Sequence, residues 1–519
     1  MNLGIHFDRA IAAYRHKEAI IDGAERISYD QLGENATRLA NAMVADGFRT
    51  GDRAAILMPN CHQAIAVDGA VMKSGIVKVP LNARVSAGEI QAMLKDSGAS
   101  ILFTHAGLVD LAQASLDGID GVRQIVVVGD VDPRLGWTDF DNFKAAGSAD
   151  PVRAELDKDS LYSLNYTSGT SGVLKAAMLT HGNWICLTRS YLMAQGQDSS
   201  GSGLAVYVAP ITHAAGGQIL ANMLSGRSNL LLTKFEPSDF LRVVEEYKVT
   251  DVLLVPTMIN MLLECPDIKS RDISSLRRIV YGTAPMAPER IKQALAVFGP
   301  VLSQGYGQTE STGIISTLGL EDHLVVNDPA LAHRLTSAGR PSFEVDIRIV
   351  DEDGGDVPTG EIGEIIVRGD MVMRGYWNAP ELTAETIRHG WLYTRDMGRM
   401  DEDGYLYLVD RKSDMIISGG FNVYPAEVEN ALMEHPAVFE VAVVGVPDVK
   451  WGEAVKAVVV TKADTNEEEL VAHCSERLAR FKAPRSVDFV DALPKSAVGK
   501  TLRRVIREQY WEGMSRRIS

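Results

Sequence analysis

The segment YTSGTSGVLK, from Tyr166 to Lys175, follows directly on an apolar run that is typical of a buried β-strand. Its two glycines allow a tight loop in which backbone N–H groups lie close together, and its four Ser or Thr side chains add hydroxyl donors. Phosphate oxygens bind to such clusters of donors. The GxxxxGK[ST] spacing of a Walker loop is missing, so the segment predicts a phosphate-binding loop of another kind.

The chain around this loop alternates short β-branched runs with amphipathic helical stretches over roughly its first three hundred residues. Many of these runs are apolar throughout, as expected of parallel strands that helices cover on both faces. From Ser337 to about Asp410 the helical signals fade, and Gly-rich turns join strands that read as antiparallel. Beyond Arg411 a small α+β unit follows. The pattern predicts an α/β fold, with a large N-terminal domain of α/β subdomains plus a β-rich subdomain, then a small α+β domain.

Composition excludes several classes of protein. With 46% hydrophobic and 23% charged residues, the 519-residue chain is typical of folded soluble proteins. A formal net charge of −16 argues against a nucleic-acid partner. The four cysteines are scattered without a CxxC pair, which argues against structural zinc or disulfides. Asp8 and Arg9 interrupt the place where a signal peptide needs an apolar core, and no apolar run approaches the ~18 residues of a membrane span. We therefore expect a cytoplasmic protein.

Further motifs follow the loop in a fixed order. They are Thr180-His-Gly-Asn183, Tyr281-Gly-Thr-Ala-Pro285, Gln304-Gly-Tyr-Gly-Gln-Thr-Glu310, Tyr393-Thr-Arg-Asp396, the run from Gly404 through Arg411 to Pro425, and Pro494-Lys-Ser-Ala-Val-Gly-Lys500. Together they resemble the adenylate-forming superfamily of acyl-CoA synthetases, luciferase-like enzymes and peptide-synthetase adenylation domains. The resemblance covers about Tyr29 to Arg504 and is strongest to the acyl- and aryl-CoA ligases.

The resemblance implies a ligase reaction in two half-steps. A small carboxylic acid attacks the α-phosphate of ATP, with Mg²⁺ present, to give an acyl-adenylate and pyrophosphate; coenzyme A then displaces AMP. It also implies a domain organisation: residues 1–411 form the large domain, with 337–411 as its β-rich part, residues 412–413 are the hinge, and residues 414–519 form a small, mobile C-terminal domain that rotates between the steps.

The motif residues receive roles from the same resemblance. Those expected to hold the β- and γ-phosphates are Thr167, Ser168, Gly169, Thr170, Ser171, Gly172 and Lys175. Those expected around adenine are Gly282, Thr283, Ala284, Gln304, Tyr306 and Gly307, while Asp396 and Arg411 would hold the ribose hydroxyls. Thr309 would contact the α-phosphate and Glu310 would bind Mg²⁺. Lys500 would bridge the carboxylate of the acid and the α-phosphate. Gly419 and Gly420 would line a narrow tunnel for the pantetheine arm.

The acid itself is only partly constrained. The residues predicted to line the acyl pocket are Tyr207, His213, Gly217, Gly282, Gly305 and Ser311, with His213 as its gate. Neither Asp nor Arg occurs between Ala205 and Leu224, so a partner for an α-ammonium or a second carboxylate is missing there. We expect a medium-chain fatty or aromatic monocarboxylate, and the sequence does not decide between them.

Several alternatives stay open at this point. Asp396 and Arg411 could form an ordinary ion pair, His213 could be a core histidine, and Lys500 a surface lysine. Leu174, Ala176 and Ser413 depart from the family pattern, at the loop exit and at the hinge. The protein could also load a carrier protein, or bind nucleotide without catalysis, and a homodimer is one option for its assembly.

Overall fold

The computed structural model describes residues 2–152, 154–168, 174–195, 202–284, 286–495 and 501–512. Its strands are, in chain order, β1 Glu18–Asp22, β2 Glu25–Ser28, β3 Arg53–Leu57, β4 Val77–Pro80, β5 Ile101–His105, β6 Gln124–Val128, β7 Thr138–Asp139, β8 Leu161–Ser168, β9 Leu174–Thr180, β10 Leu204–Tyr207, β11 Ser228–Leu231, β12 Asp251–Leu254, β13 Arg278–Gly282, β14 Leu302–Gln308, β15 Gly313–Leu318, β16 Arg340–Pro341, β17 Asp346–Val350, β18 Gly363–Arg368, β19 Gly375–Tyr376, β20 Ile387–Arg388, β21 Trp391–Met400, β22 Leu406–Arg411, β23 Ile416–Ser418, β24 Phe421–Val423, β25 Val438–Asp448, β26 Gly452–Thr461 and β27 Ser486–Phe489.

The helices are α1 Leu3–Tyr14, α2 Tyr29–Ala45, α3 His62–Ser74, α4 Ala87–Ser97, α5 Val109–Leu116, α6 Phe140–Ala145, α7 His181–Gln195, α8 Ile219–Leu224, α9 Pro237–Tyr247, α10 Pro256–Glu264, α11 Pro288–Phe298, α12 Leu320–His323, α13 Pro380–Thr386, α14 Pro425–Met433, α15 Glu467–Arg477 and α16 Arg503–Tyr510. Within the described ranges, no helix is long and apolar enough to cross a membrane.

Two large sheets build the first part of the chain. One has the strand order β16-β15-β14-β13-β12-β10-β11-β1-β2, and the other β19-β9-β8-β4-β3-β5-β6-β7. Strands β10 to β14 run parallel to one another, and so do β3 to β6. Their apolar side chains are buried under the flanking helices, which is why these strands read as continuous apolar runs.

Two smaller sheets complete the fold. Strands β17, β18, β20, β21 and β22 form an antiparallel sheet in the region where the helical signals fade. Strands β23 to β27 form the last sheet, against which α14, α15 and α16 pack. The predicted α/β fold, with a large N-terminal part and a small C-terminal α+β part, is confirmed.

The phosphate-loop segment takes a form that sequence periodicity did not specify. Strands β8 and β9 pair antiparallel, with Ser168 opposite Leu174, so that the two ends of the segment lie on adjacent strands. The next helix, α7, begins immediately afterwards, and reciprocal bonds hold its start: Asn183 N–H donates to Thr180 Oγ1 at 3.2 Å, and Thr180 N–H donates to Asn183 Oδ1 at 2.8 Å. The departure at Ala176 is buried in the sheet.

Candidate active site

Strand β9 brings Lys175 into the site as the partner of Thr167 across the hairpin. The four predicted phosphate-binding residues Gly169, Thr170, Ser171 and Gly172 lie outside the described residues, as does the side chain of Ser168. Lys175 donates to the hydroxyl of Tyr376 at 2.6 Å. That hydroxyl donates in turn to Glu310 Oε1 at 2.7 Å, while the ammonium lies 3.6 Å from the same carboxylate oxygen.

Charge is concentrated around this triad of Lys175, Tyr376 and Glu310. Burial lowers the pKa of Lys175, and the nearby Arg395 and Arg411 lower it further, against the opposing effect of Glu310. Burial also raises the pKa of the Tyr376 phenol, which therefore keeps its proton and remains a donor. The triad thus holds one cation and one anion at a site predicted for triphosphate.

Glu310 has the chemistry of a magnesium ligand. It follows β14, in a short 3₁₀ turn from Thr309 to Ser311, and is only 9% exposed. Within the described ranges, no group of three or more His, Cys, Asp or Glu side chains could hold a metal by itself. Mg²⁺ commonly binds through one or two carboxylates with phosphate oxygens and water completing its shell. Glu310 fits that role, provided that a nucleotide supplies the phosphates.

The predicted ribose pair is held in position by a third residue. Asp396 and Arg411 are opposite one another on β21 and β22, and Arg411 Nε lies 3.3 Å from Asp396 Oδ1. Tyr306 donates its hydroxyl to the other oxygen, Asp396 Oδ2, at 2.7 Å. Burial raises the pKa of Tyr306 well above its ordinary value, so the donor persists at neutral pH. The Tyr306 ring, predicted to contact adenine, and the Asp396 carboxylate, predicted to bind ribose, are therefore directly hydrogen-bonded to each other.

Backbone approach explains the glycine in the predicted adenine motif. Gly282 and Gly305 are partners in β13 and β14, and a Cβ on Gly282 would lie 2.5 Å from the carbonyl oxygen of Gly305. The next residue, Thr283, has φ +67°, a conformation that costs energy for a side chain of its kind. The side chain of Gln304, also predicted to lie near adenine, makes a hydrogen bond within the protein: the Tyr281 hydroxyl donates to its Oε1 at 3.2 Å.

His213 stands at the start of the 3₁₀ turn Ala214–Gln218. Its Nδ1 is 3.1 Å from the hydroxyl of Thr212. Burial lowers the pKa of His213, and Arg84 contributes in the same direction, so the imidazole is neutral at physiological pH. A neutral, half-buried ring is compatible with both the gate and the core reading.

Leu187 occupies the space beside Gly217, which the sequence predicts to line the acyl pocket, and beside Gly313. A Cβ on Gly217 would lie 2.9 Å from Leu187 Cδ2, and one on Gly313 would lie 2.5 Å from Leu187 Cδ1. Tyr191 and Ile314 pack with Leu187 in the same apolar cluster. Leu187 thus packs between the 3₁₀ turn Ala214–Gln218 and β15. Sequence reasoning missed it because nothing local distinguishes it from a core leucine.

Two predicted acyl-pocket residues have structural contacts. Tyr207 is 3% exposed, and its hydroxyl accepts from Asn222 Nδ2 at 2.8 Å and donates to Asn229 Oδ1 at 3.0 Å. Ser311 is fully buried and donates to the carbonyl of Gln308 at 2.9 Å, closing the turn that carries Glu310. Their part in acid binding stays a prediction.

Gly419 and Gly420 lie in a turn between β23 and β24, with φ +60° and +84°. A Cβ on Gly419 would lie 2.4 Å from Trp451 Cε3, whereas one on Gly420 would meet no atom within 4 Å. Arg485 lies 4.6 Å and Lys450 4.8 Å from the Trp451 ring.

A second aromatic pair stands on the same small domain. Phe421 and Phe481 are 57% and 38% exposed, and their ring centroids are 4.8 Å apart. We call the side chains Phe421, Lys450, Trp451, Phe481 and Arg485 the aromatic–cationic surface. The sequence did not single it out, although Trp and Phe flanked by Lys and Arg were its available signal.

Lys500 lies outside the described residues, but Arg503, at the start of α16, is held firmly. It lies 3.1 Å from Asp410 Oδ1 on β22 and donates to Glu429 Oε1 from Nε at 2.8 Å. Asp410 Oδ2 accepts from the backbone N–H of Ala426 at 2.8 Å. We call this arrangement the hinge cluster. It joins the strand before the predicted hinge to the small domain beyond it.

Comparisons with known proteins extend over the whole chain. A family model described as AMP-binding enzyme matches residues 7–377, and one described as AMP-binding enzyme C-terminal domain matches residues 427–500. The medium/long-chain-fatty-acid–CoA ligase FadD8 of Mycobacterium tuberculosis is 35% identical over 523 residues, which covers 98% of this chain and 90% of that protein. The feruloyl-CoA synthase of an Amycolatopsis species is 39% identical over 505 residues, covering 95% and 96%. The solved structure of the amide bond synthetase McbA from Marinactinospora thermotolerans superposes with a TM-score of 0.89 at 30% identity, covering 98% and 100%.

Proposed function

Because the chain belongs to the AMP-binding enzyme family, we propose that it joins a medium-chain or aromatic monocarboxylic acid to coenzyme A through an acyl-adenylate. The chain is an AMP-forming acid–thiol ligase and uses ATP and coenzyme A. The proposal adds the class of acid, the residues that act in each step, the use of Mg²⁺ and a rotation of the small domain.

The single observation that carries the residue assignments is the convergence of Lys175, Tyr376 and Glu310 from three distant segments. A lysine such as Lys175, whose ammonium is positioned by a hydrogen bond to a hydroxyl, can bind phosphate oxygens as a point charge. Bound Mg²⁺ would neutralise phosphate charge at Glu310. Such fixed charges stabilise the charge that develops on the phosphates as the carboxylate attacks.

Asp396 and Arg411 orient the nucleoside end in this proposal. Tyr306 and Arg411 hold the two carboxylate oxygens of Asp396, which leaves the carboxylate fixed as an acceptor for ribose hydroxyls. Fixing the sugar fixes the α-phosphate relative to the incoming acid, and such positioning lowers the entropic part of the barrier. Lys500 is assigned a place between the carboxylate of the acid and the α-phosphate, because a cation there offsets the repulsion between these two anions.

The aromatic–cationic surface supports coenzyme A as the acceptor. Exposed aromatic rings stack on a purine base, and neighbouring Lys and Arg side chains bind phosphate groups. The rings of Trp451 and Phe421 flank the Gly419–Gly420 turn, where absent side chains leave room for a thin pantetheine arm. In the proposed rotation this turn approaches the adenylate as Lys500 withdraws.

The apolar neighbours of Gly217 and Gly313 support an uncharged acyl group. Leu187, Tyr191 and Ile314 offer apolar surface only, apart from the Tyr191 hydroxyl. The curated relatives include one named for medium- and long-chain fatty acids and one named for ferulate. These names are compatible with a fatty acid and with an aromatic acid as the substrate.

A panel of carboxylic acids scored by pyrophosphate release, with and without coenzyme A, tests the proposal. We expect release with medium-chain fatty or aromatic acids, and thioester formation only when coenzyme A is present. Lys500→Ala should reduce adenylation by about 10²–10³ and leave thioester formation from supplied acyl-adenylate largely intact. Preferred transfer to a carrier protein or to an amine in place of coenzyme A would contradict the acceptor assignment.

A further inference from the structure

A small cavity of about 10 Å³ lies between helices α1, α3, α7 and α8. Its wall is apolar, with Trp184 and Leu220 among the lining residues, except for the carboxylate of Asp68. Gly216 and Gly217 form one side without any side chain. A cavity of roughly 10–15 Å³ holds one water molecule, so this space accommodates one water-sized group.

Asp68 keeps one unused acceptor at this cavity. Its Oδ1 lies 2.8 Å from Lys78 Nζ and accepts a hydrogen bond from the Tyr162 hydroxyl at 2.5 Å. Within the described part of the chain, its Oδ2 has no hydrogen-bond partner. The Asp68 side chain is 19% exposed, whereas that of Lys78 is only 8% exposed.

Lys78 is embedded among aromatic rings. Its ammonium lies 5.3 Å from the Trp184 ring centroid and 5.7 Å from that of Tyr162. Buried ion pairs are expensive, and apolar residues of similar volume often replace them at no loss of stability. Stability alone therefore does not account for an ion pair beside this apolar cavity.

The cavity adjoins the predicted acyl pocket. Gly217 belongs to its wall, and the open side of the same glycine faces Leu187 and Tyr191. Trp184 lines the cavity and also packs against the cluster of Leu187, Tyr191 and Ala221. Gly217 and Trp184 are thus shared between the surroundings of the cavity and those of the predicted acyl pocket.

We propose that the cavity is the far end of the acyl site and receives a hydroxyl group at the end of the acid distal to its carboxylate, with Asp68 as acceptor. This inference rests on the proposed function. A hydroxyl is close in size to the water that the cavity can hold. Asp68 and Lys78 are neutral together, so a terminal ammonium or second carboxylate would be buried without a counter-charge.

The test compares hydroxylated acids with their unsubstituted counterparts. Pyrophosphate release is measured with ω-hydroxyalkanoic acids of graded length, hydroxyaryl acids, the parent acids and ω-aminoalkanoic acids. For the acid whose length matches the site, we expect kcat/KM to exceed that of its parent by a factor of roughly 10 to 100, since a hydrogen bond to a charged group is worth that much. The ω-amino acids should be poor substrates.

The double variant Asp68→Leu with Lys78→Met separates recognition from folding. Replacing both partners avoids leaving a charge buried alone. We expect it to fold, to melt somewhat below the wild-type temperature because the buried Tyr162 hydroxyl loses its acceptor, to retain activity on the parent acids and to lose the preference for the hydroxylated acid. Lys73→Met is the matched control, because Lys73 is another buried lysine, on α3, that pairs with Asp8 and does not line the cavity.

The outcomes are distinguishable. If the wild type prefers no hydroxylated acid of any length, or if the double variant keeps the preference, the cavity does not bind a hydroxyl and the ligase activity stands. If no acid at all releases pyrophosphate, the proposed function fails and this inference fails with it.

Discussion

At the scale of single residues, Tyr376 organises the charged end of the site. One phenol hydroxyl accepts from Lys175 and donates to Glu310, which holds the ammonium 3.6 Å from the carboxylate. A shorter ion pair would satisfy the two charges with each other. The phenol therefore keeps the two charged groups apart, which leaves both available to a triphosphate in the proposed site.

Tyr376→Phe should slow the first half-reaction. Without the hydroxyl, Lys175 and Glu310 are expected to close into a direct ion pair and to compete with phosphate and Mg²⁺ for each other. We expect adenylation to fall about tenfold, the worth of one hydrogen bond near charges, with a higher Mg²⁺ requirement. The measurement is pyrophosphate exchange across a Mg²⁺ titration. Tyr405→Phe is the control, since its hydroxyl bonds Asp322 instead; equal Mg²⁺ dependence in both variants would show that Tyr376 is only structural.

Lys175 should give the reaction an alkaline limit. Its pKa lies below the ordinary 10.5, chiefly because of burial, and only the protonated form carries the charge that binds phosphate. The value of kcat/KM for ATP should therefore decline as pH rises, with a midpoint below 10.5. Lys175→Arg stays protonated throughout, so its profile should lack this limb. A limb that persists unchanged in Lys175→Arg belongs to another group.

The sequence indicates those candidate site residues whose chemistry is encoded locally. Glu310 and Asp396 stand within short polar motifs, so their side-chain types and spacing could be read directly. Tyr376 could not be read in this way, since it is 201 positions from Lys175 and only tertiary structure brings them together. Leu187 was missed for the same reason: its position against Gly217 depends on how α7 and α8 pack.

At the scale of elements, strand β22 and helix α16 meet in the hinge cluster. Asp410, Glu429 and Asp414 surround Arg503, and Tyr424 also faces Asp410. Burial raises the pKa of Asp410 to about 6, Glu429 adds to the rise, and Arg503 opposes it. The raised value means that the folded protein holds the Asp410 charge at a cost, which is relieved as pH falls toward the ordinary value of 3.8.

Acidification should tighten the link between β22 and the small domain. Asp410 binds a proton near pH 6 in the folded protein, whereas a carboxyl that becomes exposed when the link opens does so near the ordinary 3.8, so protonation favours the closed link. We expect amide exchange or proteolysis near residues 411–415 to fall about fourfold between pH 7.5 and 5.5 relative to a distant control peptide. Asp410→Asn, which is neutral throughout, should show the slower rate at both pH values, and a wild type without pH dependence would contradict the assignment.

The elements themselves were largely predictable. Parallel strands such as β3 and β10 are buried on both faces and are therefore visible in the sequence as apolar runs. Helix α4 has a capping box at Ser86 and Glu89, with Gly98 at its end. The hairpin of β8 and β9 was not specified, because a glycine-rich loop after a strand is compatible with either a helix or a second strand as the next element. Helix α13 likewise lies in a region whose sequence was read as strands and turns.

At the scale of the whole molecule, a turn lies at the predicted boundary between the two domains. Asp414 N–H donates to the carbonyl of Arg411 at 2.9 Å across Lys412 and Ser413. Arg507 donates to the carbonyl of Ser413 at 3.2 Å. The domain boundaries at residues 411 and 414, and the rotation about them, stay predictions that rest on the family resemblance and that these contacts make testable.

Ser413→Pro should impair thioester formation more than adenylation. Proline fixes φ near −65° and is disfavoured at the third position of such a turn, so it restricts the backbone rotation that the second step requires. Single-turnover kinetics of each half-reaction provide the measurement, with Ser413→Ala as the control for loss of the hydroxyl. Equal losses in both half-reactions, at an unchanged folded fraction, would contradict a rotation about this residue.

The pairing of Asp410 with Arg503 also bears on how members of this family can be recombined. The two residues are 93 positions apart, so the chain enters the small domain beside Asp410 and returns to the same place at Arg503, as it does at the ends of an inserted domain. A chimera with one junction between them takes the aspartate from one parent and the arginine from the other. Where the second parent lacks the matching charge, one ion is buried alone, at a cost of about 3–5 kcal/mol. Junctions for exchange therefore belong before Asp410 and after α16, so that the pair is inherited together.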